Sequence, residues 1–336
     1  MPFIADETIS ADGILRGLLV FDNPKLAGWK WPMAEIRGRS PGPRLCVMAG
    51  MHVNEVSSIE AVVQLQSRIA PEELRGTIAM LPLVNLPAMP HRSQYLCPID
   101  GKNINFNFPG HERGSFSEAL ADAILADWAA EAEVLVDLHG GDLCENVAKF
   151  SICQEIGDAK FDARNLALAR CFDAEIIVLL EPGLMEAPGR ACTARARSKR
   201  HAAMSEAGAN GIIDAVSVAF HLEGVLNIAR LLGMIDAAPL RGKRRQIVVD
   251  RYLWIEAPAA GILRPDAEAG MRISKGQRLA TLTDLFGTAK GEIQAPEAGV
   301  LLWRITHGMV AEGEKVFGLG GWSEARAELS SRVAAR

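Results

Sequence analysis

Arg44-Leu45-Cys46-Val47-Met48-Ala49-Gly50-Met51-His52-Val53-Asn54-Glu55 begins as an apolar run and ends on an imidazole and a carboxylate three residues apart. The run 44–51 has the length and composition of a buried strand. Val56, Ile59 and Val63 follow at i, i+3 and i+7, the spacing of an amphipathic helix. The alternation continues along the chain. Residues 77–84, 133–138, 174–180 and 202–205 read as strands, and Leu120, Ile124 and Trp128, then Val225, Ile228 and Leu232, mark helices. Strands alternating with helices predict an α/β sheet flanked by helices on both faces. Between these elements, 85–114 is a long Pro- and Asn-rich loop of the kind that carries function, and 181–200 reads as a charged loop.

In such sheets ligands gather at the C-terminal ends of strands. His52, His139 and Glu206 are all expected there. His52 and Glu55 fall where a strand turns into a helix, so one short turn can aim both side chains at a point. His139 ends the run Val134-Leu135-Val136-Asp137-Leu138 and precedes Gly140-Gly141, which allow close approach of a ligand to the backbone. Two imidazoles and one carboxylate leave a coordination position for water on zinc, the arrangement of catalytic sites. A further carboxylate that does not bind the ion can take the water's proton; Glu206, at the end of an apolar strand where burial without a role is costly, is the candidate. Asp137 shares a strand face with His139 and is expected to support it or to meet substrate. No single fragment is specific. His-x-x-Glu occurs by chance on helices, a lone His after a strand is often a packed one, and Glu206 could simply pair with Arg195, Arg197 or Arg200.

The 336 residues are 49% hydrophobic and 23% charged, enough for a substantial core, and the net charge of −5 offers no field for nucleic acid or an acidic membrane. No apolar run reaches membrane-spanning length, and the first residues lack the pattern of a secretory signal. The 6 cysteines form no C-x-x-C pair and read as packed thiols of a cytoplasmic protein. After about residue 242 helical periodicity stops. Ala257-Pro258-Ala259-Ala260-Gly261 echoes Ala295-Pro296-Glu297-Ala298-Gly299, and Gly270-Met271 echoes Gly308-Met309, both at an offset of 38. The chain is therefore divided into a domain 1–241 and a small all-β domain 242–336 built from two related units and ending in a polar tail from Ser323. Arg241 to Arg245 reads as the solvated linker.

The ordered set Gly50-Met51-His52-Val53-Asn54-Glu55, Asp100 to Gly110, Asp137-Leu138-His139-Gly140-Gly141, Glu206-Ala207-Gly208 and His221 to Asn227 resembles the succinylglutamate desuccinylase/aspartoacylase family, a branch of the zinc-carboxypeptidase-like enzymes. The resemblance implies a mixed sheet flanked by helices, one zinc per chain on His52, Glu55 and His139, and Glu206 as general base. It implies hydrolysis of the amide of a small N-acyl amino acid or related N-acyl amine, as in deacetylases of N-acetylated diamino acids. The tail resembles a barrel-sandwich, with no attached cofactor expected at Lys290. One departure stands out. The family loop usually reads Asn-Leu-Asn-Arg, and its last pair grips a substrate carboxylate; here it is Asn103-Ile104-Asn105-Phe106. A phenyl ring cannot make the bidentate contact of a guanidinium. Either another cation takes over, Arg92 first, then Arg190 or Arg195, or the substrate carries no carboxylate there. Arg92, Asn105, Asp137 and Arg190 are the substrate-binding candidates. The competing readings are a carboxypeptidase-like zinc peptidase and a non-catalytic binding protein that keeps the fold. A homo-oligomer is left open.

Overall fold

The computed structural model describes residues 3–9, 13–185, 187–240 and 246–322. The linker 241–245 and the tail from 323 lie outside the described residues. Three antiparallel strands that the sequence reading left unassigned come first: β1 (Phe3–Ile9), β2 (Ile14–Val20) and β3 (Trp31–Arg37). β4 (Ser40–Ala49) then runs into α1 (Val56–Leu65), and β5 (Arg75–Leu81) follows. Next come α2 (Phe116–Ala123), β6 (Val134–His139), β7 (Glu145–Gln154), α3 (Ala159–Ala169) and β8 (Ile176–Leu180). The expected loop at 181–200 is in part helical, with α4 at Ala191–Arg197, before β9 (His201–Ala209) and α5 (Ala215–Leu231). The α4 helix escapes sequence reading because its inward positions are Ala191, Cys192, Ala194 and Ala196, too small to show as a hydrophobic stripe, and because its Arg195 is buried. The loop 85–114 holds only two 3₁₀ turns, Leu86–His91 and Ile104–Phe106.

β5, β4, β6 and β9 lie side by side, parallel. β3 adds antiparallel to β5 and β7 antiparallel to β9, so the sheet is mixed. Alternation along each strand divides the core in two. Leu45, Val47 and Ala49, with Val134, Val136, Leu138, Ala203 and Ala207, pack under α1 and α5. Cys46, Met48, Leu135, Ala202 and Met204 pack on the other face, against α2 and α4. Asp137, His139 and Glu206 alternate onto this second face, because each lies an odd number of residues from a neighbour on the first.

The C-terminal segment is antiparallel β: β10 (Ile247–Val249), β11 (Arg251–Glu256), β12 (Gly261–Pro265), β13 (Arg272–Ile273), β14 (Arg278–Thr283), β15 (Ala289–Gln294), β16 (Gly299–Ile305), β17 (Met309–Val310) and β18 (Lys315–Gly321). Only β10 departs from this, adding parallel to β8. The echo in sequence is an echo in pairing. β11 pairs with β18 as β15 pairs with β14; β12 pairs with β14 and β17 as β16 pairs with β18 and β13. One of the two sheets so formed continues into the large sheet, since β16 also pairs with β7 through Trp303↔Val147 and Ile305↔Glu145. No helix among the described residues is long and apolar enough to cross a membrane.

One glycine is set by packing. A Cβ on Gly224, inside α5, would lie 2.0 Å from a ring carbon of the fully buried Phe172. Gly224→Ala is expected to lower the unfolding free energy by about 1–3 kcal/mol through overpacking, although alanine alone would favour the helix by about 1 kcal/mol. Urea unfolding of Gly224→Ala and of Gly224→Ala with Phe172→Leu checks this, the second change restoring part of the loss.

Candidate active site

At the end of β4 the chain turns at Gly50, whose φ of +66° lies in the left-handed region, and delivers His52 to Glu55 before α1 begins. The turn is closed by the Glu55 amide donating to the His52 carbonyl at 3.2 Å, and Ser58 Oγ donates to the Glu55 carbonyl at 2.7 Å. Glu55 thus starts the helix with its carboxylate free to face inward. β6 brings His139 to the same place. The Gly140 amide donates to Glu55 Oε2 at 3.0 Å, and a side chain at Gly140 would meet the Ala207 carbonyl at 2.3 Å. His139 pairs in register with Glu206 on β9.

His52, Glu55 and His139 are all buried, and their ligand atoms lie within 4.8 Å of one another. His52 Nδ1 is 2.5 Å from Glu55 Oε1, and His139 Nδ1 is 3.0 Å from Glu55 Oε2. The outer nitrogens fix how these contacts must be read. Asn103 Oδ1 accepts the Asn105 amide at 3.0 Å and also lies 3.0 Å from His52 Nε2, so Nε2 must carry the hydrogen there. In the neutral imidazole Nδ1 would then present a lone pair to a carboxylate oxygen. Two acceptors in that position need a positive charge between them, either a proton or a metal ion. Two imidazole nitrogens and a carboxylate are a zinc-type donor set with a position left for water. Behind His139, Asp137 Oδ2 stands 3.2 Å from Nε2, at ion-pair distance but outside hydrogen-bond geometry.

The electrostatics agree. Burial would raise the Glu55 carboxyl, but the two imidazoles beside it win and hold it down at about 2. Burial would lower both histidines; Glu55 outweighs it at His52, and Asp137 with Glu55 outweighs it at His139, so both are raised. Glu206 moves the other way, pushed up to about 8 by burial, with His139 opposing. Among the described residues no arginine is seen to pair with it. Arg195 donates to the carbonyls of Ala129 and Ala132, Arg197 to Met185 and Arg200 to Ala130.

A cavity of about 800 Å³ opens over this group, lined by His52, Glu55 and Glu206 among others. Asn105 and Arg190 also line it; Asn105 is buried with its Oδ1 unpartnered. Arg190 lies over the Phe106 ring at 5.2 Å and the Tyr252 ring at 5.9 Å. The Phe106 ring therefore seats a guanidinium. Arg92 is not in the cavity lining; its carbonyl accepts from Asn54. Asp137 sits beneath His139, outside the lining, and Arg195 is buried in the core. The sequence reading missed Tyr95, Glu145, Tyr252, Trp254, Trp303 and Lys315, all of which line the cavity. Tyr252 and Trp254 sit two apart on β11, so their shared face was visible, but which way that face points was not.

Comparison with known proteins gives a match to the succinylglutamate desuccinylase/aspartoacylase catalytic domain over residues 41–232. An N-alpha-acetyl-L-2,4-diaminobutyric acid deacetylase from Halomonas elongata is 26% identical over 324 residues, covering 94% of each chain. The crystal structure of a succinylglutamate desuccinylase/aspartoacylase from Rhodobacter sphaeroides matches with a TM-score of 0.80 at 25% identity, covering 94% of this chain and 98% of that one. The product-bound ectoine utilization protein EutE (DoeB) from Ruegeria pomeroyi has the same fold, with a TM-score of 0.82 at 23% identity over 95% and 98% of the two chains.

Behind β9, Ser205 Oγ lies 2.9 Å from Nδ1 of the fully buried His221 on α5. Burial depresses that imidazole to about 4, the Ala207 carbonyl opposing. Its unfolded value is about 6.5, so the unfolded chain binds the proton first and stability declines as pH falls from about 6.5 towards 4. In metal-free protein, His221→Asn is expected to shrink the difference in unfolding free energy between pH 7 and pH 5 by roughly 1–2 kcal/mol. Urea titrations at the two pH values measure it.

Proposed function

Since the chain belongs to the succinylglutamate desuccinylase/aspartoacylase family, we propose that it is a zinc-dependent amidohydrolase. Its reaction would be cleavage of the carbon–nitrogen amide bond of a small N-acyl amino acid or related N-acyl amine. The observation that carries the reading is the buried group in which His52 Nδ1 and His139 Nδ1 face the two oxygens of Glu55, with Glu206 in register beside it. The deacetylase relative is named for an N-acetylated amino acid, and that reaction class is what we carry over.

His52, Glu55 and His139 would hold one zinc per chain. When bound, zinc polarises the amide carbonyl and makes water more acidic. Glu206 takes a proton from the attacking water on its carboxylate and returns it to the leaving nitrogen as the C–N bond breaks. The products are a carboxylate and an amine. Positive charge held by the three ligands favours the ionised form of Glu206, against the burial that raises it. Arg190, seated on Phe106 and Tyr252, is placed to take the substrate carboxylate, and the free Oδ1 of Asn105 can accept from the substrate amide. We place the enzyme in the cytoplasm, in keeping with its free thiols.

Purified protein is expected to contain one zinc per chain and to hydrolyse N-acyl amino acids. Chelation should abolish turnover and added zinc restore it. Glu206→Gln is expected to keep the zinc and lose about 10²–10⁴-fold in kcat; turnover within a few-fold of the parent would remove Glu206 from its role. Arg190→Gln is expected to raise KM for carboxylate-bearing substrates by at least about tenfold, the equivalent of one lost charge-assisted contact, measured by initial rates.

A further inference from the structure

The cavity extends well past the catalytic group, onto the C-terminal strands. Its floor is one continuous sheet in the order β9, β7, β16, β18, β11. Glu206 on β9 pairs with Phe150 on β7, and Val147 of β7 pairs with Trp303 on β16. Trp303 and Trp254 of β11 both pair with Gly318 on β18, one from each side. All five of these side chains line the cavity. Gly318 makes the far end possible, since a Cβ there would lie 2.0 Å from Trp303 Nε1. Without one, the Trp303 indole lies across β18 and meets Trp254 at 5.3 Å, and Tyr252 continues the row at 5.3 Å from Trp254. Lys315 Nζ lies over the Trp254 ring at 4.5 Å, yet Trp254 is still 43% exposed. Rings of this size normally bury their apolar faces in a core. A row of three that lines an open cavity is a surface for a ligand.

The volume points the same way. About 800 Å³ is in the upper part of the range, about 300–1,000 Å³, of pockets that enclose a drug-sized ligand. An acetylated amino acid with a short side chain, held between Glu206 and Arg190, leaves the row of rings uncovered. Tyr252 belongs both to this row and to the seat of Arg190, whose guanidinium lies 5.9 Å from its ring. Whatever Arg190 grips is therefore next to the rings. On the deacylase reading above, which this inference rests on and deepens, Arg190 takes the substrate carboxylate, and that carboxylate belongs to the amine half of the substrate. We propose that Tyr252, Trp254 and Trp303 form a subsite for an aromatic ring on that half, so that the enzyme favours N-acyl amino acids with an aromatic side chain. The three rings are tilted by 37° and 57° to one another, so a flat group entering the row finds both stacked and edge-on partners.

Titration calorimetry on the full-length protein tests this with three amino acids as product-like ligands: L-phenylalanine, L-alanine, and L-cyclohexylalanine, which matches the first in heavy atoms but lacks its flat ring. The parent is expected to bind L-phenylalanine at least about tenfold more tightly than L-alanine and about threefold more tightly than L-cyclohexylalanine. Trp254→Ala is expected to reduce both preferences to below about twofold, and Trp254→Phe to keep most of them. A change that merely loosened the fold would weaken all three ligands alike. Trp254→Leu replaces the alanine variant, with the loss of preference for the flat ring over L-cyclohexylalanine as its readout, if that variant does not fold. A parent without these preferences, whether the row stays bare or a second copy of the chain covers it, overturns the proposal, as do preferences that survive in the variants. Failure of the parent to hydrolyse any N-acyl amino acid overturns the deacylase reading instead, because these affinities are measured without turnover.

Discussion

One buried carboxylate organises this molecule's chemistry. Glu55 sends one oxygen to His52 and the other to His139 and the Gly140 amide, and so ties the end of β4 to the end of β6. A buried acid between two imidazoles is stable only with positive charge in the group. That requirement explains why the strand ends converge so closely, and why glycines stand at positions 50 and 140. A side chain at Gly50 would need to displace Leu83, and one at Gly140 would strike the backbone of β9.

The parallel register of β6 and β9 then does what no local turn could. It sets Glu206 beside His139 on a single sheet face, opposite the helices α1 and α5. The back of β9 is anchored by Ser205 and His221, so the same strand carries a cavity-lining carboxylate on one side and a desolvated imidazole on the other. Environment alone separates the two: one opens on the cavity, the other is sealed under a helix.

The C-terminal strands are part of the site as well as of the frame. β16 joins the main sheet at β7, and the residues it brings, with those of β11, build an aromatic wall in which Tyr252, Trp254 and Trp303 succeed each other at 5.3 Å. Phe106 faces the same guanidinium as this wall. With Tyr252 on one side and Phe106 on the other, Arg190 has two ring faces to lie on, so a guanidinium can reach the cavity from α4's N-terminus rather than from the loop at 106.

Much of this was legible in the residues. Apolar runs of strand length marked β4, β6, β8 and β9; polar residues at their ends picked out His52, Glu55, His139 and Glu206; an offset of 38 marked the C-terminal repeat. These are local signals, since periodicity and strand-end polarity are written within a dozen residues of one another. β7 was not legible: Glu145–Gln154 mixes polar and apolar residues without strict alternation, and its place in the sheet comes from three partners far along the chain. The α4 helix hid behind small side chains. Sequence by itself determined the α/β class and picked out His52, Glu55 and His139, the group able to hold a metal, because those depend on residue type and spacing. Only the tertiary structure decided that Arg190 rather than Arg92 lines the cavity, and that Phe106 and Tyr252 flank its guanidinium. Those contacts join segments dozens of residues apart, and their geometry is set by strand register and packing that no local pattern encodes.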